Sequence, residues 1–330
     1  MAVLVTGGAG YIGSHTVYEL LERGREAAVA DNLQTGHREA VHPKAAFRRV
    51  DIRDRAALDA IFQELAIDSV IHFAANSQVG ESMREPLKYY DNNLGGTMTL
   101  ARVMLDHGVG RIVFSSTAAT YGEPERIPIL ETDRTLPTNP YGETKLAMEK
   151  MLEWVANAGG PKFVSLRYFN AAGAHAGGGI GEDHRPETHL IPLVLRAAAG
   201  QSDYIDVFGD DYDTRDGTCV RDYIHVSDLA RAHILALEYL EKGGESDVFN
   251  LGNGQGFSVM EIIGAAGKVA GRDIPLRIRP RRAGDPAQLV ASNRKAGDVL
   301  GFTPLHSDPA GIIASAWKWH SAHPHGFAQA

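Results

Sequence analysis

The chain has 330 residues, 44% hydrophobic and 22% charged, with one cysteine, Cys219. This composition excludes a disordered chain and a disulfide-stapled scaffold. Lys and Arg number 33 against 41 Asp and Glu, a formal charge of −8, which argues against a nucleic-acid or anionic-membrane partner.

No run of about 18 apolar residues is present. Nor does a basic region precede an apolar run and a small-residue cleavage site. The expectation is a cytoplasmic protein.

In chain order, β-like runs lie at Val3–Thr6, Ala27–Asp31, Phe47–Asp51, Ser69–Ala74, Arg111–Ser116 and Lys162–Tyr168. Helical periodicity falls between them, at Ile12–Arg23, Arg55–Leu65, Pro86–His107 and Tyr141–Ala156. This alternation predicts an α/β chain with a doubly wound, mainly parallel sheet covered by helices on both faces. Near Ala171 the pattern changes to shorter elements. Further helices are expected at Val226–Glu241, Val259–Gly271 and Pro309–His320, the second behind a Ser258/Glu261 capping box. A boundary near residue 175 is expected, and residues 221–251 can pack back on the first part.

Residues 6 to 13 read TGGAGYIG. Gly7, Gly10 and Gly13 follow a strand and open a helix, so backbone N–H groups can approach a diphosphate at the helix N-terminus. Asp31 ends the next strand and can accept both ribose hydroxyls of an adenosine. A 2′-phosphate would be repelled there, which favours NAD over NADP. The fold expected is therefore Rossmann-type. Asp51, after the third strand, can meet the adenine or cap a helix.

Residues 140 to 145 read PYGETK. Tyr141 and Lys145 are four apart and share one helix face. Both groups titrate near pH 10 when unperturbed, so each is a poor acid–base group at neutrality. A cation beside the phenol lowers its pKa; Lys145 supplies one and an oxidised nicotinamide ring would supply a second, which together make it a usable base. Thr117, at the end of Ser115-Ser116-Thr117, can hydrogen-bond the same oxygen or a substrate hydroxyl. Tyr141, Lys145 and Thr117 are the catalytic candidates, for oxidation of a secondary alcohol.

The Gly-x-x-Gly-x-x-Gly spacing with Tyr-x-x-x-Lys resembles the extended short-chain dehydrogenase/reductase superfamily. GGAGYIGSH at 7–15, DNL at 31–33, VGES at 79–82, YYDNN at 89–93, RYFNAAGAH at 167–175, RDYIHV at 221–226 and RRAGD at 281–285 narrow the resemblance to the UDP-glucose 4-epimerase family. The similarity runs from residue 2 to about 320. It implies that Tyr141 deprotonates the sugar 4-hydroxyl while hydride passes to NAD. The 4-keto sugar then turns over and receives both back on its other face, so NAD is tightly bound and not consumed.

The resemblance also implies an NAD-binding domain, 1–175, and a smaller α/β UDP-sugar-binding domain, 176–330. Cofactor contacts would come from Gly7, Gly10, Tyr11, Ile12, Gly13, Asp31, Asn32, Leu33, Asp51, Ile52, Phe73, Ala74, Ala75, Asn92, Ser115, Tyr141, Lys145 and Phe169. Substrate contacts would come from Thr117, Tyr141, Asn170, His189, Leu190, Asp206, Val207, Phe208, Arg221, Tyr223, Arg282, Asp285 and Leu289. Arg221 and Arg282 suit a diphosphate, because guanidinium forks match phosphate oxygens. A homodimer through the helices at 86–107 and 141–156 is implied as well.

Two positions depart from the family. Ser77 stands where a lysine near the nicotinamide ribose is common. Leu289 is intermediate between the bulky residue that excludes N-acetylated sugars and the small one that admits them. Among rival readings, a nucleotide-sugar dehydratase would need an Asp-Glu pair where Ala118 and Ala119 stand. A net dehydrogenase would exchange its NAD, and an NAD sensor would not need Tyr141 and Lys145. No metal site is expected: His320, His323 and His325 read as a solvated tail, and His225 as structural.

Overall fold

Strand β1, Ala2–Thr6, is apolar along most of its length because both its faces are covered. Val3 and Val5 point into one core, and Leu4 into the other, following the two-residue period of a strand. The computed structural model describes residues 1–282 and 285–327. Ala283 and Gly284 of the string at 281–285 lie outside the described residues.

The other strands are β2 (Glu26–Asp31), β3 (Ala46–Arg49), β4 (Ile67–His72), β5 (Arg111–Ser115), β6 (Lys162–Tyr168) and a seventh, Asp247–Leu251. The sheet order is seventh strand, β6, β5, β4, β1, β2, β3, and every neighbouring pair is parallel. Strand order reverses between β1 and β4. Ligands bind at such a reversal, beyond the carboxyl ends of the strands.

One face of the sheet packs Leu20 of the helix Tyr11–Glu22 and Leu229 and Leu237 of the helix Val226–Glu241. The opposite face packs Leu58, Leu100, Met104 and Leu152. The segment at 221–251 thus supplies both a helix and the seventh strand to this sheet. A third core joins the helices Leu190–Ala198, Val259–Ala270 and Pro309–Ala322 through Val194, Leu195, Ile262, Ile263, Ile312 and Ile313. Beside it lie the strand pair Ile205–Phe208 and Leu276–Arg279 and a three-stranded sheet of Phe257–Ser258, Val220–Arg221 and Gln288–Leu289.

The single helix expected at Pro86–His107 is interrupted. Pro86–Tyr89 and Gly96–Asp106 are α-helical, but Tyr90–Gly95 forms a wider π turn. The turn carries Asn93, whose side chain accepts from the Asn76 N–H at 2.8 Å and donates to the Asn76 carbonyl at 3.1 Å. Such turns often sit at functional sites. Here it holds the loop after β4 at the sheet's carboxyl edge. The capping box forms, with the Glu261 N–H donating to Ser258 Oγ at 3.1 Å and the Ser258 N–H to the Glu261 carboxylate at 2.8 Å.

Candidate active site

The glycine loop packs too closely for side chains. Gly7 has φ +75°, and a β-carbon on it would lie 2.6 Å from the Ala74 nitrogen. A β-carbon on Gly13 would lie 2.2 Å from the Gly7 carbonyl oxygen. The loop therefore lies flat against the end of β4 and opens the helix Tyr11–Glu22 onto a cavity of about 520 Å³. Asp31 reaches the rim from β2. Its carboxylate accepts from the Ala9 N–H at 3.0 Å and the Leu33 N–H at 2.8 Å. Burial pushes its pKa up, against both N–H groups. A narrow glycine turn, a helix N-terminus and an aspartate at the rim fit a dinucleotide.

The opposite wall carries the candidate acid–base pair, Tyr141 and Lys145. Asn139 caps the helix Pro140–Asn157, accepting from the Gly142 N–H at 2.9 Å, and Pro140 occupies its first position. The next residue, Tyr141, faces the cavity from the first turn, and Lys145 follows one turn on. The Lys145 ammonium donates to the Ser115 carbonyl at 2.7 Å and lies 4.9 Å from the Phe114 ring centroid. Burial lowers its pKa to about 7, with Glu149 opposing.

Among the chain's own groups, burial decides the titration of Tyr141. Burial raises its pKa, and Thr117 is the neighbour that opposes the rise. The chain's own groups do not acidify the phenol. It is desolvated, and the lysine is engaged by a carbonyl.

Below this wall, Ser115 Oγ and the Tyr168 hydroxyl are 2.5 Å apart. Ser116 bonds the Glu149 carboxylate, which Arg167 grips through Nε at 3.0 Å and Nη2 at 2.5 Å. Both members of that pair are buried. Burial without a partner would be costly, so the pair ties the catalytic helix to β6.

The substrate-side wall comes from the later part of the chain. Arg221 is largely buried, paired with Asp285, and its Nη1 donates to the Val220 carbonyl at 2.8 Å. Leu289 pairs with Arg221 in strand register and packs beside Phe169 on a cluster of Ala118, Tyr121 and Ile129.

Most of the expected residues line this one cavity: Gly7, Gly10, Tyr11, Ile12, Gly13, Asp31, Asn32, Ile52, Phe73, Ala74, Ala75, Asn92, Ser115, Thr117, Tyr141, Lys145, Phe169, Asn170, His189, Arg221, Asp285 and Leu289. Eight others lie outside its lining: Leu33, Asp51, Leu190, Asp206, Val207, Phe208, Tyr223 and Arg282. Asp51 pairs with Arg53 at 2.7 Å, and Asp206 with Arg277 at 2.8 Å. The Arg282 guanidinium lies 3.9 Å from the Phe208 ring centroid. Ser77 is on the cavity wall.

Tyr168, Asn76, Glu182 and His184 line the cavity without having been anticipated. Tyr168 stands within a quoted string, one residue before Phe169. Glu182 and His184 sit in an irregular stretch with no periodicity to mark them.

The model of the NAD dependent epimerase/dehydratase family matches residues 3–252. A UDP-glucose 4-epimerase of Halalkalibacterium halodurans is 59% identical over 327 residues, 99% of this chain and 98% of that protein. One of Lacticaseibacillus casei is 58% identical, covering 99% of each. The crystal structure of UDP-glucose 4-epimerase from Bifidobacterium longum with NAD+ and UDP superposes at TM-score 0.93 and 43% identity, over 99% of this chain and 100% of that one. The chain belongs to the NAD dependent epimerase/dehydratase family.

Proposed function

We infer that the chain interconverts UDP-galactose and UDP-glucose by inverting the sugar at C4, as an NAD-dependent isomerase of the UDP-glucose 4-epimerase type. The observation that carries this reading is one cavity with a glycine loop and Asp31 on one wall, Tyr141 and Lys145 on another, and Arg221 on a third.

Gly7, Gly10 and Gly13 would hold the NAD diphosphate at the helix N-terminus, and Asp31 its adenosine ribose. NAD supplies a reversible acceptor for the hydride of the sugar C4. Tyr141 takes the C4 hydroxyl proton and returns it after the sugar has turned. Burial alone raises the Tyr141 pKa, so its work as a base rests on the positive charge that an oxidised nicotinamide and Lys145 would bring beside it. Thr117 hydrogen-bonds the shared oxygen. Lys145, held on the Ser115 carbonyl, keeps the first turn of the helix in place and adds positive charge as Tyr141 ionises. Arg221 grips the UDP diphosphate, leaving the hexose free to rotate. Ala118 and Ala119 line the cavity and cannot carry protons, which favours epimerisation over elimination of water.

The same reading divides the chain near residue 175 into an NAD-binding and a UDP-sugar-binding domain, with 221–251 returning to the first. It includes a homodimer through the helices at 86–106 and 140–157, supported by exposed Leu87, Met98, Leu105 and Trp154. A cytoplasmic location belongs to it as well. No helix among the described residues is long and apolar enough to cross a membrane.

Purified protein given UDP-galactose and no added cofactor should form UDP-glucose. Turnover that depends stoichiometrically on added NAD would overturn the reading. Tyr141→Phe should lower kcat by roughly 10²–10⁴ while nucleotide stays bound. Unchanged turnover would remove Tyr141 from its role.

A further inference from the structure

The turn before the helix Leu190–Ala198 carries two glutamates and two histidines within eight residues, Glu182, His184, Glu187 and His189. One ligand-type atom from each lies within 4.8 Å of all the others. Both histidines present Nδ1 to the same glutamate oxygen. His189 Nδ1 is 2.6 Å and His184 Nδ1 3.2 Å from Glu182 Oε1. Glu187 closes the group, its Oε1 3.5 Å from His189 Nδ1 and its Oε2 3.9 Å from His184 Nδ1.

The Glu187 side chain is wholly buried and that of Glu182 nearly so. Glu187 Oε1 accepts from the N–H groups of Thr188 and His189 at 2.8 and 2.9 Å. Its Oε2, like His184 Nδ1, is buried with no hydrogen-bond partner. His189 Nδ1 pairs with Glu182, but Glu187 Oε2 and His184 Nδ1, both buried beside that pair, are left without a hydrogen-bond partner, and a cation would satisfy them. Bonds of about 2.0–2.1 Å to nitrogen and oxygen in a tetrahedron place ligand atoms about 3.4 Å apart. The 3.2 Å between His184 Nδ1 and Glu182 Oε1 and the 3.5 and 3.9 Å to the two Glu187 oxygens lie near that edge, while His189 Nδ1 and Glu182 Oε1, 2.6 Å apart, would separate to admit an ion.

We propose that Glu182, His184, Glu187 and His189 form a binding site for a divalent transition-metal ion of the zinc class. Two carboxylates and two neutral imidazoles balance a double positive charge, and imidazole donors favour zinc over magnesium or calcium. Four protein ligands leave no open position, so the ion is structural. It clasps the turn at the rim of the cavity, which Glu182, His184 and His189 also line. The T-shaped Tyr11–His184 contact joins the turn to the glycine loop, and the Tyr11 hydroxyl is itself fixed on the Gly173 carbonyl at 2.6 Å.

The test is metal content and does not depend on the activity assigned above. The full chain is stripped with a chelator, dialysed against Zn²⁺ and analysed for the element. About one ion per chain is expected. His184→Ala and Glu187→Gln, shown folded by circular dichroism, should weaken Zn²⁺ binding at least about tenfold. Both variants keep His320, His323 and His325 as an internal control; contrary to a solvated tail, His320 lies in the helix Pro309–Ala322 and His323 stacks on Trp319 with ring centroids 3.7 Å apart. Equal uptake by wild type and folded variants overturns the proposal. If neither variant folds, Co²⁺ added to the stripped wild type decides. The strong visible absorption of tetrahedral cobalt supports the site, and the weak spectrum of aqueous Co²⁺ alone refutes it.

Discussion

The Lys145 ammonium is anchored on the Ser115 carbonyl at 2.7 Å, so the helix Pro140–Asn157 is tied to the end of β5 through a candidate catalytic residue. Burial lowers the Lys145 pKa to about 7 from an ordinary 10.5. Between those values the unfolded chain holds more protons than the folded one. This group therefore makes the folded state gain stability as pH rises from 7 toward 10.5, and lose it as pH falls. Lys145→Met should lower kcat at least about 10²-fold and reduce the rise in urea midpoint between pH 7.5 and 9. A variant with full kcat would show that the ammonium only positions the helix.

Arg221 is nearly enclosed and already oriented by Asp285 and the Val220 carbonyl. On the proposed reading, Arg221→Ala removes a charge-assisted contact to phosphate. A loss of about 1.5–3 kcal/mol corresponds to a roughly 10- to 100-fold rise in KM for UDP-galactose, with kcat less affected. A change in kcat alone would place Arg221 at the reacting sugar instead of the diphosphate.

Leu289 faces the cavity opposite Arg221 in register. Leu289→Ala removes three carbons beside the sugar. The ratio of kcat/KM for UDP-GalNAc to that for UDP-galactose should rise about tenfold or more. An unmoved ratio would mean that another residue sets the size limit.

His72 is buried between Thr6 Oγ1 at 2.6 Å and Thr97 Oγ1 at 2.9 Å, and burial lowers its pKa to about 3. Its folded pKa lies below its unfolded one. Its contribution is complete above pH 6.5 and is lost as pH falls toward 3. From pH 6.5 to 5 the loss is about 2 kcal/mol. His72→Gln lacks this titration, so the stability gap between wild type and variant should narrow across that interval. A constant gap in urea unfolding would disprove the burial of a neutral imidazole.

Asp222 accepts from the N–H groups of Asn253 at 2.6 Å, Ala291 at 3.1 Å and Gly254 at 3.3 Å. It clasps two distant segments, at 253–254 and 291, behind Arg221. Asp222→Ala leaves those donors buried and unpaired, and should cost about 3 kcal/mol. Chemical denaturation measures it directly, and a loss under 1 kcal/mol would show that water replaces the carboxylate.

Local pattern carried much of the architecture. The strand Lys162–Tyr168 and the helix Val226–Glu241 have the bounds that periodicity and end signals predict. The π turn at Tyr90–Gly95 was not legible, because it answers to Asn76, a residue on another element. The strands Val220–Arg221 and Gln288–Leu289 are two residues each, too short to show a period. The dryness of the Tyr141 phenol was not legible either: spacing places a lysine near it but does not say how deeply it is buried.

The amino-acid sequence by itself determined the glycine turn, Asp31 at the end of the second strand, and Tyr141 and Lys145 on one helix face. These depend on backbone periods and on neighbours a few residues away. The tertiary structure alone decided that Lys145 meets Ser115, that Leu289 lies beside Arg221, and that Glu182, His184, Glu187 and His189 converge. It also decided which way each pKa moves. Burial and through-space distance are properties of the whole folded chain, because charge is desolvated by whatever packs around it and not by what precedes it in sequence.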